Sequence, residues 1–376
     1  MKQAPVVNMC TIVLYDILGR EHQKCDEHVQ LDKAMQWLCR AQDATPDGGV
    51  SEGYHLFHGW LPSYPETTGY IIETFFDCCR ATGDESLRSR ALKMADWLIS
   101  IQNPDGSMPD SQFRTKLVFD TGQVVFGLVR AFRESGSEEY RAAATRAGQW
   151  LVQVQGDDGA WQRHALDDIP HAYYSRVAWS LLELHSVTQS QELVDAAVKN
   201  VRWVLSLQRD TGWFESAGFG PENNQAPFTH TIAYTIRGAL ECGLYLKEAE
   251  FVRTAASAMD NVLQRLPEDG RVPGTYDVAW RGDASFSCLT GCAQLAIILY
   301  RLYQHTGRRR YLTGATRIAG YLATKQELRA SSADLHGAIA GSDPIWGKYI
   351  HFCYPNWAAK FFVDSLLIGA AAKPKA

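Results

Sequence analysis

The chain has 376 residues, 46% of them hydrophobic and 21% charged, with a formal net charge of -5 and 9 cysteines. That composition is a globular one with ample core, and its negative balance, with no long basic run, argues against a nucleic-acid or membrane-surface partner. Cysteines without regular spacing or a CxxC pair predict reduced thiols in a cytoplasmic protein rather than a disulfide framework.

Residues 1–30 read as an N-terminal extension. Its apolar stretch MCTIVLYDILG is short, broken by Asp16 and without a small-residue cleavage site, so it suits neither a signal peptide nor a bilayer span. The chain then enters a repeat. WLCRAQ ends at Gln42, WLISIQ at Gln102, WLVQVQ at Gln155 and WVLSLQ at Gln208, and the weaker copies MDNVLQ and YLATKQ end at Gln264 and Gln326. The first five run into a glycine turn, as in GDDGAW. Recurrence at this period signals one supersecondary unit used many times.

Each copy closes an amphipathic helix. SLRSRALKMADWLISIQ, for example, sets Leu87, Ala91, Met94, Trp97, Leu98 and Ile101 at steps of three and four. Between these lie segments apolar on nearly every side: GYIIETFFDCC, GQVVFGLVRAF, RVAWSLLELH, IAYTIRGALECGLYL, GCAQLAIILYRLY and NWAAKFFVDSLLIGA. Helices apolar all round belong inside. The chain starts with an outer helix and ends with an inner one, so pairing the last with the first completes six hairpins. The expected fold is therefore all-α, a single (α/α)6 toroid over residues 31–371 with a tail at 372–376. The repeated phrase itself reads as structural. Its tryptophan packs the outer helix, its glutamine serves backbone groups left open at the helix end, and its glycine turns the chain.

RAGQWLVQVQGDDGAW resembles the QW motif of squalene and oxidosqualene cyclases, a resemblance that implies the toroid. The DxDD acid of the protonating cyclases is missing, the nearest string being ALDD at 165–168, and DDIPH does not meet the DDxxD of the ionising class. GWLPSYPETTGYIIETFFD (59–77), CLTGCAQLAII (288–298) and GKYIHFCYPNWAAKFFVDSL (347–366) resemble toroid proteins of bacterial exopolysaccharide biosynthesis clusters. That resemblance implies carbohydrate chemistry close to that of glucuronyl C5-epimerases, polysaccharide lyases and unsaturated-uronide hydrolases.

In such a ring the long loops and the N-termini of the inner helices share one face, which suits an anionic ligand. The polar residues at the heads of the inner helices should converge there. In chain order the first are Tyr64, Glu66, Asp120 and Gln123. His171, Tyr173, Tyr174 and Arg176 follow, then His230 and Tyr234. Asp283, Ser287, Gln294, Tyr354, Asn356 and Lys360 complete the set. Glu66, Asp120 and Thr229 also suit helix capping, and Arg176 and Lys360 suit internal ion pairs.

Removing the proton α to a uronate carboxylate, in an epimerase or lyase, needs a base, an acid and a cation facing the developing enolate. Arg176 suits the cation, Tyr174 or His171 the base, and His230 or Tyr234 the acid. The alternative is hydrolysis, for which Glu66, Asp120 and Asp283 offer carboxyl groups on different helices. A third reading is non-catalytic saccharide binding by Trp60, Trp213 and Trp346. No HExxH, phosphate loop or dinucleotide fingerprint is present, so no metal or cofactor is expected. The expected partner is a polysaccharide or oligosaccharide, with no nucleic acid and no membrane insertion.

Overall fold

Asp26 starts the first repeat helix: its carboxylate accepts the His28 N–H, and the chain is helical from Glu27, earlier than the pattern alone placed it. The computed structural model describes residues 6–19, 25–330 and 332–372; residues 1–5 and 20–24 of the expected extension and 373–376 of the expected tail lie outside them. Within the extension, α1 (Val6–Ile17) is a helix whose Asp16 accepts the Ile345 N–H at 2.7 Å, tying it to the loop before the last inner helix. No helix of the described residues is long and apolar enough to cross a membrane.

Among the described residues, twelve α-helices follow in alternation. The outer ones are α2 (Glu27–Asp43), α4 (Glu85–Ile101), α6 (Glu138–Gln153), α8 (Gln191–Ser206), α10 (Ala249–Gln264) and α12 (Arg309–Ala323). The inner ones are α3 (Pro65–Thr82), α5 (Val118–Ser135), α7 (Ser175–Thr188), α9 (Thr229–Leu246), α11 (Leu289–Thr306) and α13 (Asn356–Ala372). Each inner helix packs on the next, α13 returns to α3, and α13 pairs with α2. The ring is closed, and the fold is the (α/α)6 toroid. Strands are confined to short ladders on the long-loop face, where Gly53–His55 pairs antiparallel with Gly59–Trp60 and with Cys353–Pro355.

Inner-to-outer links are two residues long and open on a left-handed residue: Gly83, Gly136, Gln189, Lys247 and Gly307. So tight a turn leaves each inner helix antiparallel to its outer partner and puts all the long connections at the opposite end.

The recurring glutamine has a specific job. Gln155 Nε2 donates to Gly159 O in its own turn at 3.0 Å and to Ala196 O of the next outer helix at 2.9 Å. Gln42, Gln102 and Gln208 repeat both bonds with their own glycine and the following outer helix. Gln326 reaches Gly337 O at 3.1 Å and Gln30 O at 2.9 Å, while Gln30 Nε2 answers Ala323 O at 2.9 Å, so the same staple joins α12 to α2 and seals the ring. The sixth turn glycine, eleven residues past its glutamine, escapes a reading fixed on short spacings. Gln264 is exposed and stands outside this pattern. The eight cysteines from Cys25 to Cys353 are free thiols.

Candidate functional site

Closing the ring brings inner-helix N-termini around one cavity of about 230 Å³ on the long-loop face. Pro65 at the first position of α3, where a missing N–H costs nothing, sets the helix start that puts Glu66, Thr67 and Tyr70 on the wall. The first turn of α5 adds Phe119 and Asp120, and the turn before α7 adds Tyr173 and Tyr174. His230 and Tyr234 lie one helical turn apart on α9, His230 against Tyr349 of the loop before α13 and Tyr234 against Phe361 of α13, and Trp357 lines the same cavity. α11 contributes from behind: Gln294 Oε1 lies 3.1 Å from His230 Nδ1. A carbonyl oxygen only accepts, so Nδ1 carries the hydrogen and Nε2 keeps its lone pair.

The cavity is aromatic in its walls and acidic in its polar groups. Phe119 meets Tyr173, Tyr174 and Tyr234 with ring centroids 5.2 to 5.5 Å apart. Glu66 accepts the Tyr64 hydroxyl at 2.7 Å; burial, reinforced by the charge of Glu52 and only partly opposed by Tyr64 and Arg176, pushes its pKa up to about 7. Asp120 is 2% exposed and its Oδ2 meets no hydrogen-bond partner. Burial, with the charges of Glu66 and Asp110 added, holds this carboxyl well above the usual range. A buried oxygen without a donor is tolerable on a neutral acid and costly on an anion. Burial moves His230 the other way, down to about 3, which leaves a neutral imidazole. The tyrosines are all displaced upward by burial, Tyr234 included despite the Arg176 guanidinium beneath its ring.

Of the residues expected from sequence, Tyr64, Glu66, Asp120, Tyr173, Tyr174, His230 and Tyr234 line this cavity together. Others do not. Arg176 lies behind the wall, 2% exposed, its Nε donating to Gln123 Oε1 at 2.6 Å and its guanidinium 4.9 Å from the Tyr234 centroid and 5.2 Å from that of Phe126. Its five aromatic neighbours block the bidentate fork expected of it, and among the described residues neither lysine nor arginine lines the cavity. His171 is held by two backbone carbonyls, Gly218 O at 3.0 Å and Leu166 O at 2.9 Å, and does not face the cavity space. Asn356 bonds Ser51 O and Thr67 Oγ1, both at 2.8 Å, and Lys360 pairs with Asp364 at 2.5 Å, so both act inside the helix ring.

The remaining expected binders lie elsewhere. Trp60 packs on Trp37 and donates to Asp334. Trp213 is buried and reaches Tyr276 O, while Tyr354 is buried in the ladder with Tyr54. Asp283 pairs with Lys348 at 2.7 Å, and Trp346 is exposed and outside the cavity. Sequence reading missed Glu52, Tyr70, Phe219, Tyr349 and Trp357. Tyr70 was within reach of it, one turn beyond Glu66 on the same face; Phe219 and Tyr349 stand in loops without periodicity. Among the described residues no cluster of three or more His, Cys, Asp or Glu side chains could hold a metal ion.

Residues 62–240 match the family described as squalene-hopene cyclase C-terminal domain. No curated protein matches the chain significantly in sequence. Solved structures match it over nearly its whole length. An unsaturated glucuronyl hydrolase from Bacillus sp. GL1, responsible for the degradation of glycosaminoglycan, superposes with a TM-score of 0.73 at 17% identity, covering 91% of this chain and 96% of its own. An unsaturated glucuronyl hydrolase from Streptococcus agalactiae gives 0.70 at 13% identity, with 94% of each chain covered. An α-1,6-mannanase from Salegentibacter sp. HEL1_6 gives 0.69 at 14% identity, covering 93% of this chain and 100% of its own. At these identities the likeness is one of fold.

Proposed function

We propose that the protein is a carbohydrate-active enzyme of the hydrolytic kind, acting on a saccharide whose terminal sugar enters the cavity between Glu66 and Asp120. The observation that carries the reading is the pair of carboxyls with displaced acidities in one aromatic-lined space. Two carboxyls whose environments drive them apart supply the acid and the base of glycoside cleavage. Asp120, kept protonated, donates its proton to the leaving oxygen as the C–O bond breaks. Glu66, the more easily ionised, provides the negative charge that supports the oxocarbenium-like carbon and the incoming water. Arg176 favours the ionised form of Glu66, so the guanidinium behind the wall helps decide which carboxyl ionises first. The aromatic walls exclude water and stack on the sugar face. The hydrolases and the mannanase that share the fold act on saccharides by their descriptions, which agrees with this choice.

Proton abstraction by an epimerase or lyase fits less well. It requires a cation at the substrate carboxylate, with a tyrosine or histidine as the expected base and acid. Arg176 is walled off, the tyrosines are raised, and His230 is too weak a base. A second reading has one specific support: a protonated Asp120 facing aromatic rings also suits protonation of an alkene and shelter of a carbocation, in keeping with the cyclase-domain match. The cavity of about 230 Å³ would restrict that chemistry to a small isoprenoid.

The test is cleavage of a panel of neutral and uronate-terminated oligosaccharides, followed by new reducing ends. Asp120→Asn and Glu66→Gln should each lower kcat by at least about 100-fold. The wild-type rate should rise with pH through about 7 as Glu66 ionises and fall again where Asp120 does. Unaltered cleavage by both variants refutes the roles. An ultraviolet-absorbing unsaturated product restores the elimination reading, and turnover of an isoprenoid alone replaces the saccharide reading.

A further inference from the structure

The cavity has a broader neighbour. Leu117 and Leu166 line both it and a broader cleft of about 940 Å³ between the long loops that precede α5 and α7. A cavity large enough for one sugar ring thus adjoins a trough large enough for several. We propose that this cleft binds the remainder of the saccharide whose terminal sugar lies in the cavity, and that this remainder is an uncharged chain. The proposal rests on the saccharide reading of the cavity and extends it to the class of substrate.

The cleft walls are built, not merely open. Asp110 accepts the backbone N–H of Gln112 and Arg114 and the hydroxyl of Thr115 at 2.8 to 3.1 Å, fixing the first loop. Lys116 is tied to Asp105 at 2.6 Å. The second loop is anchored from the cavity side, because Tyr174 Oη accepts the Leu166 N–H at 3.0 Å and His171 Nε2 lies 2.9 Å from Leu166 O. Two residues expected to do chemistry therefore position the cleft wall instead. The rim also holds four non-glycine residues in the left-handed region, Phe113, His164, Asp167 and Asp168, at φ of 51 to 63°. Such conformations are costly and persist where surrounding structure enforces them.

Phe113 supplies the stacking surface. Its side chain is 54% exposed at the rim, where an aromatic face gains by covering a sugar ring. Charge decides between chain types. Four aspartates line the cleft against Arg114 and Lys116, and His164 is pushed toward its neutral form by burial. A polyanionic chain would meet net repulsion along this path, while an uncharged one finds carboxylate acceptors for its hydroxyls.

The experiment measures binding to the Asp120→Asn protein, with and without Phe113→Ala, by calorimetry. The probes are neutral oligosaccharides of increasing length, each matched with an oligoglucuronate of the same length. Affinity for the neutral series should rise with length by about tenfold or more, the worth of a stacked contact, and the glucuronates should bind more weakly at each length. Phe113→Ala should remove the gain with length and leave binding of the single sugar unchanged. Length-independent binding, a gain that survives Phe113→Ala, preference for the glucuronates or no saccharide binding at all would each overturn the proposal. Length-dependent binding without cleavage by the wild type would refute the hydrolytic reading and leave the cleft assignment standing; cleavage with length-independent binding would do the reverse.

Discussion

Glu66 costs the fold something in order to be useful. Its carboxyl has a raised pKa of about 7 in the folded protein, whereas the unfolded chain ionises near the ordinary value of 4.5. Below about pH 4.5 both states are protonated and no penalty applies. As pH rises through 7 the folded state must ionise a buried carboxyl, and stability is lost. Glu66→Gln should therefore stabilise the protein at pH 8 by about 2–3 kcal/mol and give almost no gain at pH 4.5, read from denaturant unfolding at the two pH values. A gain equal at both would mean that Glu66 is not perturbed. At this scale the sequence was only partly legible. Glu66, Asp120, His230 and Tyr234 were found because polar groups on apolar helices are conspicuous. Arg176, Asn356 and Lys360 are equally conspicuous but point into helix contacts. The difference is rotational phase, which a helix apolar on all sides does not encode.

The hairpin elements were far more legible, because one physical problem is solved repeatedly with the same residues. An outer helix ends, its turn and the next outer helix need linking, and a glutamine that donates to the carbonyl of a left-handed glycine and to a carbonyl of that next helix does both. Gly159 illustrates how little freedom remains: φ is 92°, an added Cβ would sit 2.5 Å from Lys199 O, and its carbonyl accepts from both Gln155 and Asn200 at 3.0 Å. Gly159→Ala should cost at least about 2 kcal/mol, measured by thermal or denaturant unfolding. A change within a few tenths of a kcal/mol would show that the turn relaxes freely. What the repeat could not reveal was the content of the long loops, and these supply Phe219, Tyr349 and the cleft walls. Loop side chains are placed by individual bonds, such as Tyr174 to Leu166, and carry no periodic signature.

For the whole molecule, closure of the ring matters most, since it alone brings α3, α5, α9 and α13 to one cavity. The seam between α12 and α2 is held by the reciprocal pair of Gln326 and Gln30. Gln326→Leu should leave Gln30 O and Gly337 O without their buried donor, destabilising the protein by about 2 kcal/mol or more while unfolding stays a single transition. Appearance of a separate early transition would instead mark the ring as divisible. The ion pairs of Glu241 with Arg237 and Arg301, both at 2.8 Å, tie α9 and α11 together as a further ring contact. The central claim is that this closed ring holds two unlike carboxyls in one enclosed site. It is tested most directly by a carbon-13 NMR titration of the Asp and Glu side-chain carboxyls, with Glu66→Gln and Asp120→Asn used for assignment. The account predicts that Glu66 titrates near 7 and that Asp120 is still protonated there; titration of both near the ordinary carboxylate value of about 4 would contradict it.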